Sequence, residues 1–299
     1  MRVCQADGRT NEGGLVAYLG KCQFNNGPNA AAEIMDDTSE SYRRFPLRIK
    51  QCRYGSMLFL ETDKYIGGSF LLYGEYCEGE IEIFRQFVRP GCVVIDAGAN
   101  IGAHTVWFAK TVGPEGRVYA FEPQIHIHNL LCANLALNNV QNVETFQRAL
   151  GQAEGLVDVP MLNYDEPNNY GGVYDNAAIS PVLYKVKLMN IDSINLDRCD
   201  FIKIDVEGME IDSILGADKT LRRCQPILYV ENDREDQSED LIKTIKRHDY
   251  KIYYHECMYY REDNFFLETN NIFPGEGSKS LLCMPERFHD TLMLGFNVL

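Results

Sequence analysis

Five carboxylates in this 299-residue chain stand at or just after short apolar runs. Asp96 follows Val93-Val94-Ile95, Glu122 follows Val118–Phe121, and Glu231 follows Ile227–Val230. Asp205 and Glu207 lie in the string Ile202-Lys-Ile-Asp-Val-Glu-Gly208. Apolar runs of this length, bounded by turn residues, read as buried strands. Each acid therefore sits at the carboxyl end of a strand. In open α/β sheets ligands bind beyond those ends, where the strand order reverses. A ring of acids at that rim attracts a cationic small molecule and repels a phosphate-bearing one.

The turn Asp96-Ala97-Gly98-Ala99-Asn100-Ile101-Gly102 brings backbone close to a ligand, because Gly98 lacks a Cβ. Dinucleotide-binding turns share its glycine spacing. Here, however, Asn100 replaces the second glycine of G-x-G-x-x-G and crowds the place of a pyrophosphate. Asp96 and Asp205 would repel that dianion, whereas they attract the sulfonium and ammonium of S-adenosylmethionine. The donor's carboxylate is expected at the positive end of the helix opening at Ile101, near Gly102 and Thr105. Glu122 is the expected acceptor for two ribose hydroxyls, and Arg148-Ala149-Leu150 the expected neighbours of the adenine. A solvated strand-end acid and an ordinary apolar loop would use the same residue types.

Methyl transfer to an alcohol benefits from a base that takes the hydroxyl proton, typically by about 10²–10⁴-fold. Lys203, Asp205 and Glu207 are two apart, which on a strand Phe201–Val206 places all three on one face. Asp205 is expected to hold the donor's ammonium, and Lys203 to neutralise Asp205 or Glu207. Glu207 or Glu231, helped by His255, is predicted to remove the acceptor's proton; a lone strand-end histidine is as readily structural. A divalent metal on Asp205 and Glu231 is the less favoured alternative, because no ligand spacing marks it, and no metal ligand is predicted. Asn168, Asn169 and Tyr170, before Gly171-Gly172, and Asn264 in the aromatic stretch 253–266 are expected to meet the acceptor. An inert turn or packing between the last strands would use the same letters.

These residues need a frame. Strands at 93–95, 118–121, 143–146, 201–206, 227–230, 251–254 and 281–284 alternate with helical periodicity, as at Ile127, Leu131 and Leu135. The alternation predicts a doubly wound, mostly parallel α/β sheet covered on both faces. Residues 1–45 read as a partly ordered extension, 46–90 as a hairpin and helix packing on the core, and 91–299 as the donor-binding domain. A polar stretch over 151–182 interrupts the pattern. The net charge of -14 gives no footprint for nucleic acid or an anionic membrane, and no apolar run is long enough to span a bilayer. The start lacks a secretory signal, so the ten scattered cysteines read as reduced thiols in a cytoplasmic protein, with Cys92 and Cys132 in the core.

Ile95-Asp-Ala-Gly-Ala-Asn-Ile-Gly102, Phe121-Glu-Pro123 and Ile202-Lys-Ile-Asp-Val-Glu-Gly208 together resemble the FkbM-type methyltransferases. Tyr73-Gly-Glu75, Leu131-Cys-Ala-Asn134, Asn169-Tyr-Gly-Gly172 and Tyr229-Val-Glu-Asn-Asp233 extend the resemblance over about residues 65–285. It implies a Rossmann-like class I fold, S-adenosylmethionine as donor with S-adenosylhomocysteine as product, and O-methylation of a sugar, glycan or small metabolite. Some relatives instead methylate asparagine amides of ribosomal peptides, and a non-catalytic cofactor-binding module would keep the same fold. On the resemblance alone, Glu75 reaches the cofactor. Residues 1–45 match nothing recognised and are expected to make substrate or subunit contacts; a homodimer is compatible with this reading.

Overall fold

The computed structural model describes residues 46–172, 182–288 and 297–298. The extension expected over residues 1–45 lies outside them. The loosely alternating segment after Leu47 forms the hairpin β1 (Leu47–Cys52) and β2 (Gly55–Leu60), with Leu47 opposite Leu60. A short helix α1 (Ile66–Leu72), which the sequence did not announce, precedes α2 (Glu78–Phe87).

The alternating part follows as β3 (Val93–Ala97), α3 (Ala103–Val112), β4 (Arg117–Phe121), α4 (Ile125–Leu137) and β5 (Val143–Phe146). After an insertion it resumes with β6 (Ala149–Leu150), β7 (Gly155–Pro160), β8 (Leu183–Met189), β9 (Phe201–Ile204), α5 (Glu210–Leu215) and α6 (Asp218–Cys224). It ends with β10 (Ile227–Glu231), α7 (Glu235–Lys246), β11 (Lys251–Met258), β12 (Gly277–Met284) and β13 (Asn297–Val298).

Eight strands form the main sheet in the order β13-β11-β12-β10-β9-β3-β4-β5. β10, β9, β3, β4 and β5 pair in parallel, while β12, β11 and β13 add an antiparallel edge. From β3 the chain winds outward through β4 and β5, then returns to β3's other side as β9 and β10. The order thus reverses between β3 and β9, and a crevice opens at their carboxyl ends.

Strand alternation assigns the two faces. Val94, Val118, Phe201 and Tyr229 pack with Phe84 of α2 and Trp107 and Phe108 of α3, where Phe84 meets five aromatic rings within about 6 Å. Burying one such ring stabilises by roughly 1.5–3 kcal/mol. Ile95, Ile202, Ile204, Leu228 and Val230 face the other way, against Ile214, Leu221, Leu241 and Ile245 of α5, α6 and α7. Ile127, Leu131 and Leu135 of α4 pack with Met57, Phe59 and Leu60 of the hairpin. Asn134 ties that layer together, accepting the Leu58 N–H at 2.6 Å and donating to the carbonyls of Leu58 and Ile101.

Three expectations need correction. The segment read as a polar interruption contains β7, which with β6 and β8 makes a separate sheet in the order β6-β8-β7. Its Leu156 is 59% exposed, so hydrophobicity does not follow burial there and the strand signal is lost. The strand at 201 ends at Ile204, so Asp205 and Glu207 lie in the following turn. Cys132 is exposed, one residue off the buried stripe of α4, whereas Cys92 is buried. The eight described cysteines are all free thiols. Among the described residues, no helix is long and apolar enough to cross a membrane.

Candidate active site

Parallel register builds the floor of the crevice. Asp96 lies beside Lys203 across β3 and β9, and Tyr229 flanks Lys203 on β10. Lys203 is 3% exposed. It donates to Asp205 Oδ2 at 2.9 Å and lies 3.9 Å from Asp96 Oδ1. Burial alone would lower its pKa, but Asp205, Asp96 and Glu80 more than offset that and raise it. Asp96 is fully buried and accepts the Thr105 hydroxyl at 2.6 Å. Burial raises its pKa, with Lys203 and Thr105 opposing. Glu80 reaches the same floor from α2, accepting the Ser278 hydroxyl at 2.6 Å, and burial pushes it up to about 7. His104 stands 3.6 Å from Glu80 with its Nε2 unbonded; burial, then Lys203, holds it neutral.

The turn after β3 requires a left-handed backbone at Gly98 (φ +78°). A Cβ there would lie 1.7 Å from the carbonyl oxygen of Asp205. The glycine thus lets the turns after β3 and β9 cross, a tighter constraint than ligand approach. Asn100 is also left-handed (φ +49°), which asparagine tolerates. Its N–H donates to Glu122 Oε2 at 3.1 Å, and Gln124 N–H donates to Oε1 at 2.8 Å. Glu122 is 4% exposed, and burial pushes its pKa up to about 7 against those two bonds. Each oxygen keeps a lone pair for a ribose hydroxyl. Gln124 also donates to the carbonyl of Tyr170 at 2.7 Å, pinning the loop that brings Asn169 and Gly171 to the cleft.

Beyond β9, Glu207 (φ +57°) and Gly208 (φ +95°) make a left-handed turn. Glu210 fixes it by accepting the N–H groups of Val206 and Gly208 at 3.0 Å each. Glu207 therefore gets its aim from a buttressed turn, not from strand alternation. Its Oε2 lies 3.4 Å from Arg234. Glu231 ends β10 with a buried Oε2 that has no hydrogen-bond partner. Burial first, then Asp205 and Asp233, pushes Glu207 up to about 8, and burial with Asp205 and Glu207 raises Glu231 well above the carboxylate range.

These parts line one cleft of about 300 Å³. Phe121, Ala149, Leu150, Val157 and Val159 make its apolar end, with Glu122 and Arg148 beside them. Asp205, Glu207, Glu231 and Asp233 make the acidic end, faced by Tyr65, Tyr76 and Tyr259. Tyr76 and Tyr259 stack at 5.8 Å and Tyr65 and Tyr259 meet at 5.1 Å. This polarity matches that of S-adenosylmethionine, which has a nucleoside at one end and a cationic sulfonium and ammonium at the other.

Of the residues singled out in the sequence, Gly98, Ala99, Asn100, Glu122, Arg148, Ala149, Asn169, Asp205, Glu207 and Glu231 line this cleft. Others lie behind its wall. Asp96 and Thr105 bond to each other beneath it, and Gly102 caps α3. Glu75 pairs with Arg53 at 2.6 Å and accepts the Phe265 N–H, away from the cleft. His255 lies 2.8 Å from the Tyr229 hydroxyl and is not brought to Glu207 or Glu231. Asn168 exchanges backbone bonds with Thr62 and Lys64. Tyr170 is fully buried, its hydroxyl on the carbonyl of Glu166, and Asn264 is buried on the carbonyls of Arg261 and Glu268. Glu80, His104, Gln124, Tyr65 and Tyr76 were not foreseen, and Tyr259 only as part of the aromatic stretch 253–266. Their types carry no spacing signal, although Gln124 directly follows the Phe121-Glu-Pro123 string.

Residues 96–252, more than half of the chain, match the methyltransferase FkbM domain. The chain is 27% identical over 243 residues to the AMB antimetabolite synthetase AmbE of Pseudomonas aeruginosa, covering 64% of this chain and 11% of that one. It is 28% identical over 145 residues to Methyltransferase 1 of Beauveria bassiana, covering 42% and 58% respectively. It is 22% identical over 207 residues to the 2-O-methyltransferase NoeI of Sinorhizobium fredii, covering 59% and 84%. The chain thus spans only part of the first two relatives. It belongs to the FkbM methyltransferase family, with an S-adenosylmethionine-dependent methyltransferase domain built around the cleft just described.

Proposed function

We propose that the chain moves a methyl group from S-adenosylmethionine to a hydroxyl oxygen of a sugar-bearing or other small-molecule acceptor. The observation that carries this reading is the two-ended cleft. Glu122 and the apolar slot suit the nucleoside, while the acids and Tyr65, Tyr76 and Tyr259 leave an open place beside the donor's sulfur end. Tyrosine faces pack on the C–H faces of a sugar ring, and carboxylates accept its hydroxyls. Glu207 and Glu231 stand at that end, where negative charge favours loss of the acceptor's proton. The 2-O-methyltransferase name of one relative supports an oxygen acceptor.

The donor supplies an electrophilic methyl with a good leaving group, so the protein's contribution is to hold the acceptor oxygen in line, worth roughly 7–11 kcal/mol in well-oriented systems. The test pairs donor binding with product analysis. Calorimetry should show heat with S-adenosylmethionine and none with NAD. Incubation with methyl-labelled donor and a panel of hydroxylated acceptors and asparagine-containing peptides should place the label on oxygen. Label recovered only on an amide nitrogen would replace the hydroxyl reading, and heat with NAD alone would overturn it.

A further inference from the structure

Asp205, Glu207 and Glu231 can each offer one oxygen, and these three oxygens lie within 4.8 Å of one another. Two ligands on opposite sides of a divalent ion, bonded at roughly 2.1–2.4 Å, are about 4.2–4.8 Å apart. The three acids therefore fit inside one coordination sphere. A second observation marks what is missing there: Glu231 Oε2 is buried in the cleft wall without a hydrogen-bond partner. A buried acceptor left unsatisfied is costly unless a ligand meets it. The neighbouring cations are directed at other oxygens, Lys203 at Asp205 Oδ2 and Arg234 at Glu207 Oε2. The Glu210 buttress holds Glu207 in place, as a ligand set needs.

The geometry points to a divalent-cation site formed by Asp205, Glu207 and Glu231 at the acceptor end of the cleft. An all-oxygen donor set selects a hard ion such as Mg²⁺ or Mn²⁺ over zinc. Three protein ligands leave about three positions on a six-coordinate ion, for water or an acceptor hydroxyl. An ion there would lower the pKa of a hydroxyl that reaches it. The hydroxyl proton then passes to water, the oxygen bonds to the methyl carbon, and the carbon–sulfur bond breaks with its electron pair going to sulfur. This role rests on the oxygen-acceptor reading above; the binding of the ion does not.

Chelator-treated protein, without donor or acceptor, is titrated with Mn²⁺ while the paramagnetic resonance signal of the free ion is followed. One ion should bind per chain and be displaced by Mg²⁺. Glu207→Gln and Glu231→Gln should each weaken binding at least as much as the roughly 10–100-fold typical of losing an outer-shell partner. Both are isosteric and replace buried carboxyls whose pKa values are raised, so each should melt close to the parent in chelator; this separates lost ligation from lost folding. The site is overturned if the parent leaves the Mn²⁺ signal unchanged up to about 1 mM, the weak end of carboxylate sites, or if both variants bind as the parent does. S-adenosylmethionine titrated into the chelated protein distinguishes the two failures. Donor heat with silent Mn²⁺ removes the metal and leaves the methyltransferase reading intact; silence with both removes both.

Discussion

Glu122 should make donor binding sensitive to pH near neutrality. Its pKa in the folded protein is pushed up to about 7 by burial, from an ordinary value of 4.5. Ribose hydroxyls donate to the ionised carboxylate, so the donor selects the deprotonated form. Below pH 7 the apparent affinity should weaken by about tenfold per pH unit, and above it level off. About nine-tenths of a proton should leave Glu122 on binding at pH 6, and about one-tenth at pH 8. Calorimetry in buffers of different ionisation enthalpy counts those protons. Glu122→Gln should abolish its share of the release and weaken binding by roughly ten- to a hundredfold per charged bond lost, each worth roughly 1.5–3 kcal/mol. The donor-free protein carries the opposite trend. Between pH 4.5 and about 7 the folded state holds a proton that the unfolded chain has lost, so stability falls as pH rises through that window. For Glu122 the fall amounts to about 3 kcal/mol at 1.36 kcal/mol per unit. Glu80, pushed up to about 7 on the same floor, adds in the same direction. Affinity that stays flat from pH 6 to 8, or equal proton release from Glu122→Gln, would refute the assignment of Glu122 to the ribose.

Gly98→Ala must move the Asp205 peptide by more than an ångström, since its Cβ would start 1.7 Å from that carbonyl oxygen. Strain of this kind, with the left-handed backbone, should cost roughly 2–5 kcal/mol, read as a lower urea midpoint together with weakened donor binding; an unchanged midpoint would contradict the crossing described here. Glu210→Ala leaves the Val206 and Gly208 N–H groups without their acceptor. It should lower turnover far more than donor affinity, with Glu210→Gln recovering part of the loss; equal effects on both would show that the turn does not aim Glu207.

The parallel half of the sheet was legible because buried strands announce themselves as unbroken apolar runs, and the acids at their ends followed from topology. Glu122 and Asn100 both line the cleft, although nothing local predicts that the N–H of Asn100 would bond to Glu122. What escaped depended on contacts distant in sequence. Asn134 looks like any helical asparagine until the hairpin that it ties down is in place. Glu80 and His104 gain meaning only when α2 and α3 cover Lys203. Tyr170 was read as an acceptor contact because it lies in the insertion after the third strand, where an acceptor wall would stand. Gln124 instead draws that loop inward and buries the ring completely. His255 was read as a strand-end residue like Glu231, but β11 runs on to Met258 and β12 stands between it and β10, so its imidazole meets Tyr229 instead.

The preference for a sulfonium donor over a dinucleotide survives, although different atoms carry it than the sequence suggested. Asp96 is buried against Lys203 and Thr105, and so acts on the ligand only through them. The acids open to the cleft are Asp205, Glu207, Glu231 and Asp233, and the raised pKa values of Glu207 and Glu231 mean that those two ionise as a cation arrives. The backbone supplies the stronger argument. A phosphate-binding turn works by offering uncommitted N–H groups. Here Gly98 and Ala99 N–H donate to the carbonyl of Phe121, Asn100 N–H to Glu122, Ile101 N–H to the side chain of Asn100, and Gly102 N–H to the carbonyl of Ala99. All five amides of the turn are spent within the protein. A pyrophosphate arriving there would find no uncommitted backbone donor from these residues and one facing carboxylate, whereas a ribose needs only that carboxylate.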